Sequence, residues 1–214
     1  MTNLLRLLQL ADSALPVGGL AHSFGLETLI EEGDLVLSDL FGFLQDLLSE
    51  GLFLDAVFCR NAHLIAERGE MIDDLNARLS ALKVARESRE ASLALGRRFS
   101  ALLGALDPSL AIRPAATHFV LAFGYAGGRF GLGADETVAA FLHQSVTSTI
   151  SVCQRLLRLG QLEAAQVNWD LKPSIVETTA KSSRLAVDEA YSFAHLPELG
   201  SMRHPMLPTR LFVS

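Results

Sequence analysis

A proline followed closely by two glycines, within Leu8–Glu27 (LQLADSALPVGGLAHSFGLE), constrains this chain more than any other stretch. The Pro16 ring fixes its own φ and steers Leu15 away from helix, while Gly18 and Gly19 can adopt backbone angles closed to other residues. The leucines before it (Leu4, Leu5, Leu7, Leu8 and Leu10) therefore predict a short apolar helix that stops before Pro16. Phe24, Leu26 and Leu29 start a second helix, running from about His22 to Gly33. Such a junction packs one helix end against the next and leaves His22 and Ser23 at the corner. The spacing by itself fits an ordinary helix–helix turn.

Helical spacing continues downstream. Ser38 with Asp39 reads as a hydroxyl N-cap and a carboxylate near the positive end of a helix. Leu40, Phe41, Leu44, Leu47 and Leu48 follow, up to Gly51. Leu54, Val57, Phe58, Leu64 and Ile65 predict a further helix ending near Gly69, and the absence of strict alternation excludes a strand. A long helical region spans about Ile72 to Leu106. In it Ala85, Ser88, Ser92 and Gly96 recur at three- and four-residue steps, small enough for another helix to approach closely. Arg86, Glu87, Arg89 and Glu90 flank that stripe, with Arg86 and Glu90 at i,i+4 spacing. They read either as a solvated charged face or as a partner-facing or core-locking ion network.

Asp107-Pro108 and Arg113-Pro114 interrupt the pattern. Gly124, Gly127, Gly128, Gly131 and Gly133 are expected to form a flexible or tightly turning connection. With no GxxxxGK[ST] run and no preceding strand, they are not read as a phosphate cradle. Asp135 is placed to cap a helix whose apolar stripe is Val138, Leu142, Val146, Ile150, Cys153 and Leu157. Pro173 opens a last helix with Ile175, Val176, Thr179 and Ala180 on one face. From about Ser192 no period remains, and the tail, with Pro197, Pro205 and Pro208, reads as an extended arm that either packs on its own domain or orders on a partner. The expected fold is all-α: a single-domain helical bundle of about eight to ten helices over residues 1–191, with an irregular C-terminal arm of the same domain over 192–214.

Hydrophobic residues make up 50% of the chain against 20% charged, and mean hydropathy is +0.30. That balance predicts apolar surface covered by another chain. The net charge of −6 and the absence of a basic stripe interleaved with aromatics argue against nucleic-acid binding. No apolar run reaches the roughly 18 residues a bilayer span needs, and the N-terminus lacks the basic region of a signal peptide. Cys59 and Cys153 belong to no CxxC pair and fit two buried thiols in a reducing, cytoplasmic setting. Histidines 22, 63, 118, 143, 195 and 204 are scattered, none three or four residues from another, and no HExxH or GxSxG motif occurs. Spacing thus points away from an enzyme. A metalloenzyme built from dispersed His and carboxylates, and a generic all-α homodimeric interaction protein, stay open as alternatives.

Five segments carry a resemblance to one family. LADSALPVGG with His22, Ser23 and GLE resembles the N-terminal signature of the urease accessory protein F family (UreF). ARESREAS followed by Leu95-Gly96 is similar to that family's long central helix, and His118, Phe119, Ala122, Phe123 and Gly124 to its His-x-Pro-Val-x-Phe-Gly-type helix, with Val120 at or beside the proline. QRLLRLGQ resembles its [K/R]-x-V-P-L-G-Q, with Arg155 on the basic position, Gly160 and Gln161 matching, and Arg158 in place of the proline. Ser201–His204 and Arg210–Phe212 resemble its closing segment.

The resemblance implies a homodimer that binds the accessory protein UreD/UreH and the GTPase UreG, the complex docking on apo-urease for nickel insertion. This chain would then be a non-enzymatic scaffold with no permanently bound cofactor and no resident metal, nickel being handled in transit by the complex. The residues implied are Gly18, Gly19, His22 and Ser23 at the helix junction, Arg86, Glu87 and Arg89 in charged contacts, and Arg155 near the homodimer or GTPase surface. Arg203, His204 and Arg210 would belong to an arm that orders on UreD/UreH, where a guanidinium offers planar, multi-donor geometry.

Overall fold

The computed structural model describes residues 1–110, 112 and 116–214. It is all-α: α1 (Thr2–Leu10), α2 (Leu26–Glu31), α3 (Leu40–Asp46), α4 (Leu52–Glu67), α5 (Asp73–Leu82), α6 (Arg86–Leu106), α7 (Phe119–Arg129), α8 (Ala134–Leu156), α9 (Gln161–Asp170), α10 (Lys172–Ser182) and α11 (His195–Arg203). No strand occurs among the described residues, as the helical bundle expected from periodicity requires. No helix among them is long and apolar enough to cross a membrane. The predicted break at Arg113-Pro114 lies outside the described residues.

At the centre α4 lies along α7, flanked by α6 and α8. Four phenylalanines meet there. Phe99 on α6 contacts Phe119 and Phe123 on α7 with ring centroids 5.3 and 5.9 Å apart, and Phe141 on α8 lies 5.6 Å from Phe123. Edge-on and offset rings of this kind add about 0.5–1.5 kcal/mol per pair beyond the area they bury.

The glycine-rich segment corrects the expectation of a loop. Gly124, Gly127 and Gly128 sit inside α7, and only Gly131 and Gly133 lie in the turn beyond it. A Cβ on Gly124 would run into the Cys59 carbonyl of α4, and one on Gly128 into the His63 carbonyl. The glycines are there so that two helix backbones can touch, which composition alone cannot distinguish from flexibility. Gly96 plays the same part on α6, where a Cβ would strike the Thr117 carbonyl, so the small-residue stripe does admit a neighbour. That neighbour is the chain leading into α7. Buried His118 there meets Ser92 of α6 at 3.0 Å and Ser80 of α5 at 2.8 Å. Burial pushes its ring down to about 3, so it stays neutral.

Other boundaries also shift. The predicted helices over 38–51 and 54–69 form one rod, joined through a π-turn at Leu47–Gly51. The long region from Ile72 to Leu106 is instead broken, at Lys83–Ala85, where Arg89 of α6 donates to the Lys83 carbonyl (2.8 Å) and closes the corner. Neither expected cap forms. Ser38 donates to Asp39, and Asp135 accepts from Arg60 at 2.6 Å instead of capping α8. On α10 the buried face is Ile175, Thr178, Thr179 and Ser182, whereas Val176 and Ala180 are exposed. The tail carries α11 and a 3₁₀ turn (His204–Met206) before becoming irregular, and it packs on its own domain.

The close α4–α7 approach generates a prediction. Gly124→Ala should destabilise the chain by about 3 kcal/mol through overpacking, read by chemical denaturation. Gly104→Ala on α6, where a Cβ meets nothing within 4 Å, should stabilise it by about 0.5–1 kcal/mol.

Candidate functional site

The N-terminal junction and the C-terminal tail meet in one polar cluster. Helix α2 begins at Leu26, not at His22, because Gly25 at its start has φ +89°. That left-handed angle suits glycine. A Cβ there would collide with the Pro197 carbonyl and, at 2.6 Å, with the Ser201 nitrogen; a Cβ on Gly200 would meet the Gly25 carbonyl at 2.5 Å. Two glycines thus let α2 and α11 cross backbone on backbone, and the crossing brings Glu27 beneath the tail.

Glu27 is 5% exposed and His204 is fully buried. His204 Nε2 lies 2.8 Å from Glu27 Oε2, and His204 Nδ1 lies 2.8 Å from Glu87 Oε2 on α6. A carboxylate oxygen thus stands within hydrogen-bond distance of each ring nitrogen. Glu27 also accepts the backbone N–H groups of Leu211 (2.6 Å) and Phe212 (3.2 Å). One carboxylate therefore gathers two backbone donors and a ring nitrogen from the last eleven residues. Around it, Arg210 Nη1 stands 3.7 Å from Glu87 Oε1, and Arg203 Nη2 bridges Glu32 (3.0 Å) and Asp34 (3.1 Å).

The last residues continue along the junction. Val213 donates to the Ala21 carbonyl (2.8 Å), the Ser23 and Phe24 amides donate to the Ser214 carbonyl, and His22 Nδ1 meets the Ser214 hydroxyl at 2.8 Å. Burial first, and then Arg98, holds the His22 ring below its ordinary value. Arg155, near the end of α8, donates to the Leu20 carbonyl (3.1 Å) with its guanidinium 5.2 Å over the Phe212 ring. Gly18, with φ +81°, lies under Arg98, which donates to the Val17 carbonyl (3.2 Å), and Gly19 opens the 3₁₀ turn Gly19–Ala21. Arg158 has φ +54°, an angle a proline ring cannot take, so the chain turns here where the resembled motif's proline would forbid it.

The structure brings Gly18, Gly19, His22, Ser23, Glu87, Arg155, Arg203, His204 and Arg210 around the junction and tail. It keeps two predicted residues out. Arg86 is exposed and paired with Glu90 at 2.8 Å, and Arg89 closes the α5–α6 corner. Sequence reasoning missed Glu27, the centre of the cluster, and the Gly25–Gly200 crossing. The one available signal was a carboxylate set inside the apolar run Leu26–Ile30. Glu27 and His204 direct their hydrogen bonds inward, so the cluster fastens the tail. The outer side of that tail is apolar: Met206 is 82% exposed and Leu211 73%.

Breaking a buried charged pair costs about 3 kcal/mol or more. Glu27→Gln, which sets an amide against backbone donors, should lower Tm by roughly 6–12 °C. Glu90→Gln, at the exposed Arg86 pair, should move it by no more than about 2 °C.

The family model UreF matches residues 37–172. The urease accessory protein UreF of a Nostoc species is 34% identical over 220 aligned positions, covering 98% of this chain and 95% of that one. The protein of the same name from a Bradyrhizobium species is 33% identical, covering 99% and 92%, and that of Haemophilus influenzae is 30% identical, covering 100% and 97%.

Proposed function

We propose a function from the premise that this chain belongs to the UreF family of urease accessory proteins. It acts in urease maturation as a non-enzymatic scaffold, bridging UreD/UreH and the GTPase UreG on apo-urease while nickel, the cargo, is inserted. It works in the cytoplasm as a homodimer. Nickel is handled in transit by the complex, and no cofactor resides on this chain.

The observation that supports this reading best is a tail fastened at its inner side and apolar at its outer side. Buried Glu27 holds the backbone of Leu211 and Phe212, so Met206, Leu211 and Val213 stand out of a fixed surface. Exposed apolar groups held in place bind a partner with less ordering cost than the same groups on a loose chain. Arg203 and Arg210, beside them, add guanidinium donors that half-face solvent. UreD/UreH is assigned to this tail. A second apolar row supports the homodimer: Leu162, Trp169 and Val176 recur at seven-residue spacing along α9 and α10 and are 84%, 72% and 64% exposed. Hydrogen bonds run through Leu171 from one helix to the next, so this row is a helical seam of the kind two copies can share.

Arg210→Ala should leave the far-ultraviolet circular dichroism unchanged and lower recovery of UreD/UreH and UreG in a pull-down at least fivefold. Arg68→Ala, at the exposed pair with Glu70, should recover both in full. Unchanged recovery with Arg210→Ala would remove the tail from the proposed interface.

A further inference from the structure

Between the α2 junction, the α3–α4 rod, α6, α8 and the tail lies a chamber of about 200 Å³. The chamber opens in part to solvent, so a polar group in its wall without a protein partner is met there by water or by a ligand that displaces it. Its lining is both apolar and polar. Leu95, Phe119 and Phe141 supply one wall. Ser23, 1% exposed, and Ser148 also line it, and neither hydroxyl has a hydrogen-bond partner among the described residues.

The charges on the lining do not cancel. Lys83 is paired with Asp55 at 3.0 Å, and Glu198 of α11 is a second carboxylate in the same wall. Burial pushes the Glu198 carboxyl above its ordinary value, with Lys83 and His195 offsetting that only in part. On this lining Lys83 is therefore the one permanent cation beside two carboxyl groups, Asp55 and Glu198, with His195 acting on Glu198 from outside the lining. Among the described residues no three His, Cys, Asp or Glu side chains converge as a metal-ligand set. The missing partner is therefore better matched by an ammonium group on a carbon body than by a bare metal ion.

We propose that this chamber binds a small organic cation, its ammonium group against Glu198 and its apolar body along Leu95, Phe119 and Phe141. The site is independent of the urease reading, since it is built from the interior and not from the outer faces assigned to partners. The crossing of Gly25 and Gly200 holds α11, and hence Glu198, in the wall.

The test is a titration of the full chain, followed by ligand-observed NMR, with hexylammonium, hexanol and hexanoate as probes. Saturable binding of hexylammonium is expected, with hexanoate and hexanol at least tenfold weaker. Glu198→Gln should weaken hexylammonium at least tenfold, and Ser148→Leu, which fills the chamber, should abolish its binding. No saturable binding, equal binding of hexanoate, or full affinity in Glu198→Gln would overturn the proposal. The probe series on the unaltered chain decides the matter even where a variant fails to fold.

Discussion

The structure depends on one carboxylate that cannot be left alone. Glu27 is buried at the start of α2, and a buried charge without partners is far too costly to persist. Its partners lie 177 to 185 positions away along the chain, in His204, Leu211 and Phe212. The two ends of the sequence are thereby made to order together. Glu87 extends the arrangement to α6 through the other face of His204, so this contact between the chain's two ends also reaches its central helices. The glycine crossing at Gly25 and Gly200 supplies the geometry, because only two residues without Cβ atoms allow α11 to come near enough.

The same device recurs in the core. Gly124 and Gly128 set α7 on α4, and Gly96 sets the start of α7 on α6. These contacts fix the phenylalanine cluster and leave the hydroxyl-bearing side of α8, with Ser145, Ser148 and Thr149, along the chamber. Close backbone packing in one layer and an unfilled volume in the next are two results of one choice of small residues. Apolar surface left outside, on the tail and along α9 and α10, contributes to the high mean hydropathy.

Much of the fold was legible because period 3.6 and helix stops are local. The stripe Val138, Leu142, Val146, Ile150 and Cys153 reads directly as the buried side of α8, and Gly33 and Gly69, both at positive φ, follow the ends of α2 and α4 as expected. What was not legible depends on partners distant in sequence. Glycines that admit a neighbouring helix have the same composition as glycines that bend a loop, so the second half of α7, from Gly124, reads as a connection. The break at Lys83–Ala85 carries no proline or glycine, and α11 has no apolar period to announce it. In the site, His204, Arg203 and Arg210 stood out through their resemblance to a known closing segment. Glu27 did not, because its one local signal, a place inside the short run Leu26–Ile30, does not reveal partners that lie at the far end of the chain.

Membership of the UreF family gives the chain its place among urease accessory proteins, and its tail is docked on its own domain, not left as a loose strand. Hydrogen exchange of the isolated chain tests this most directly. If Glu27 fastens the tail, the amides of Leu211 and Phe212 exchange as slowly as that of Leu29, whose N–H is bonded at the start of α2. Exchange of those two amides at the rate of an unstructured peptide, with α2 still protected, would contradict it.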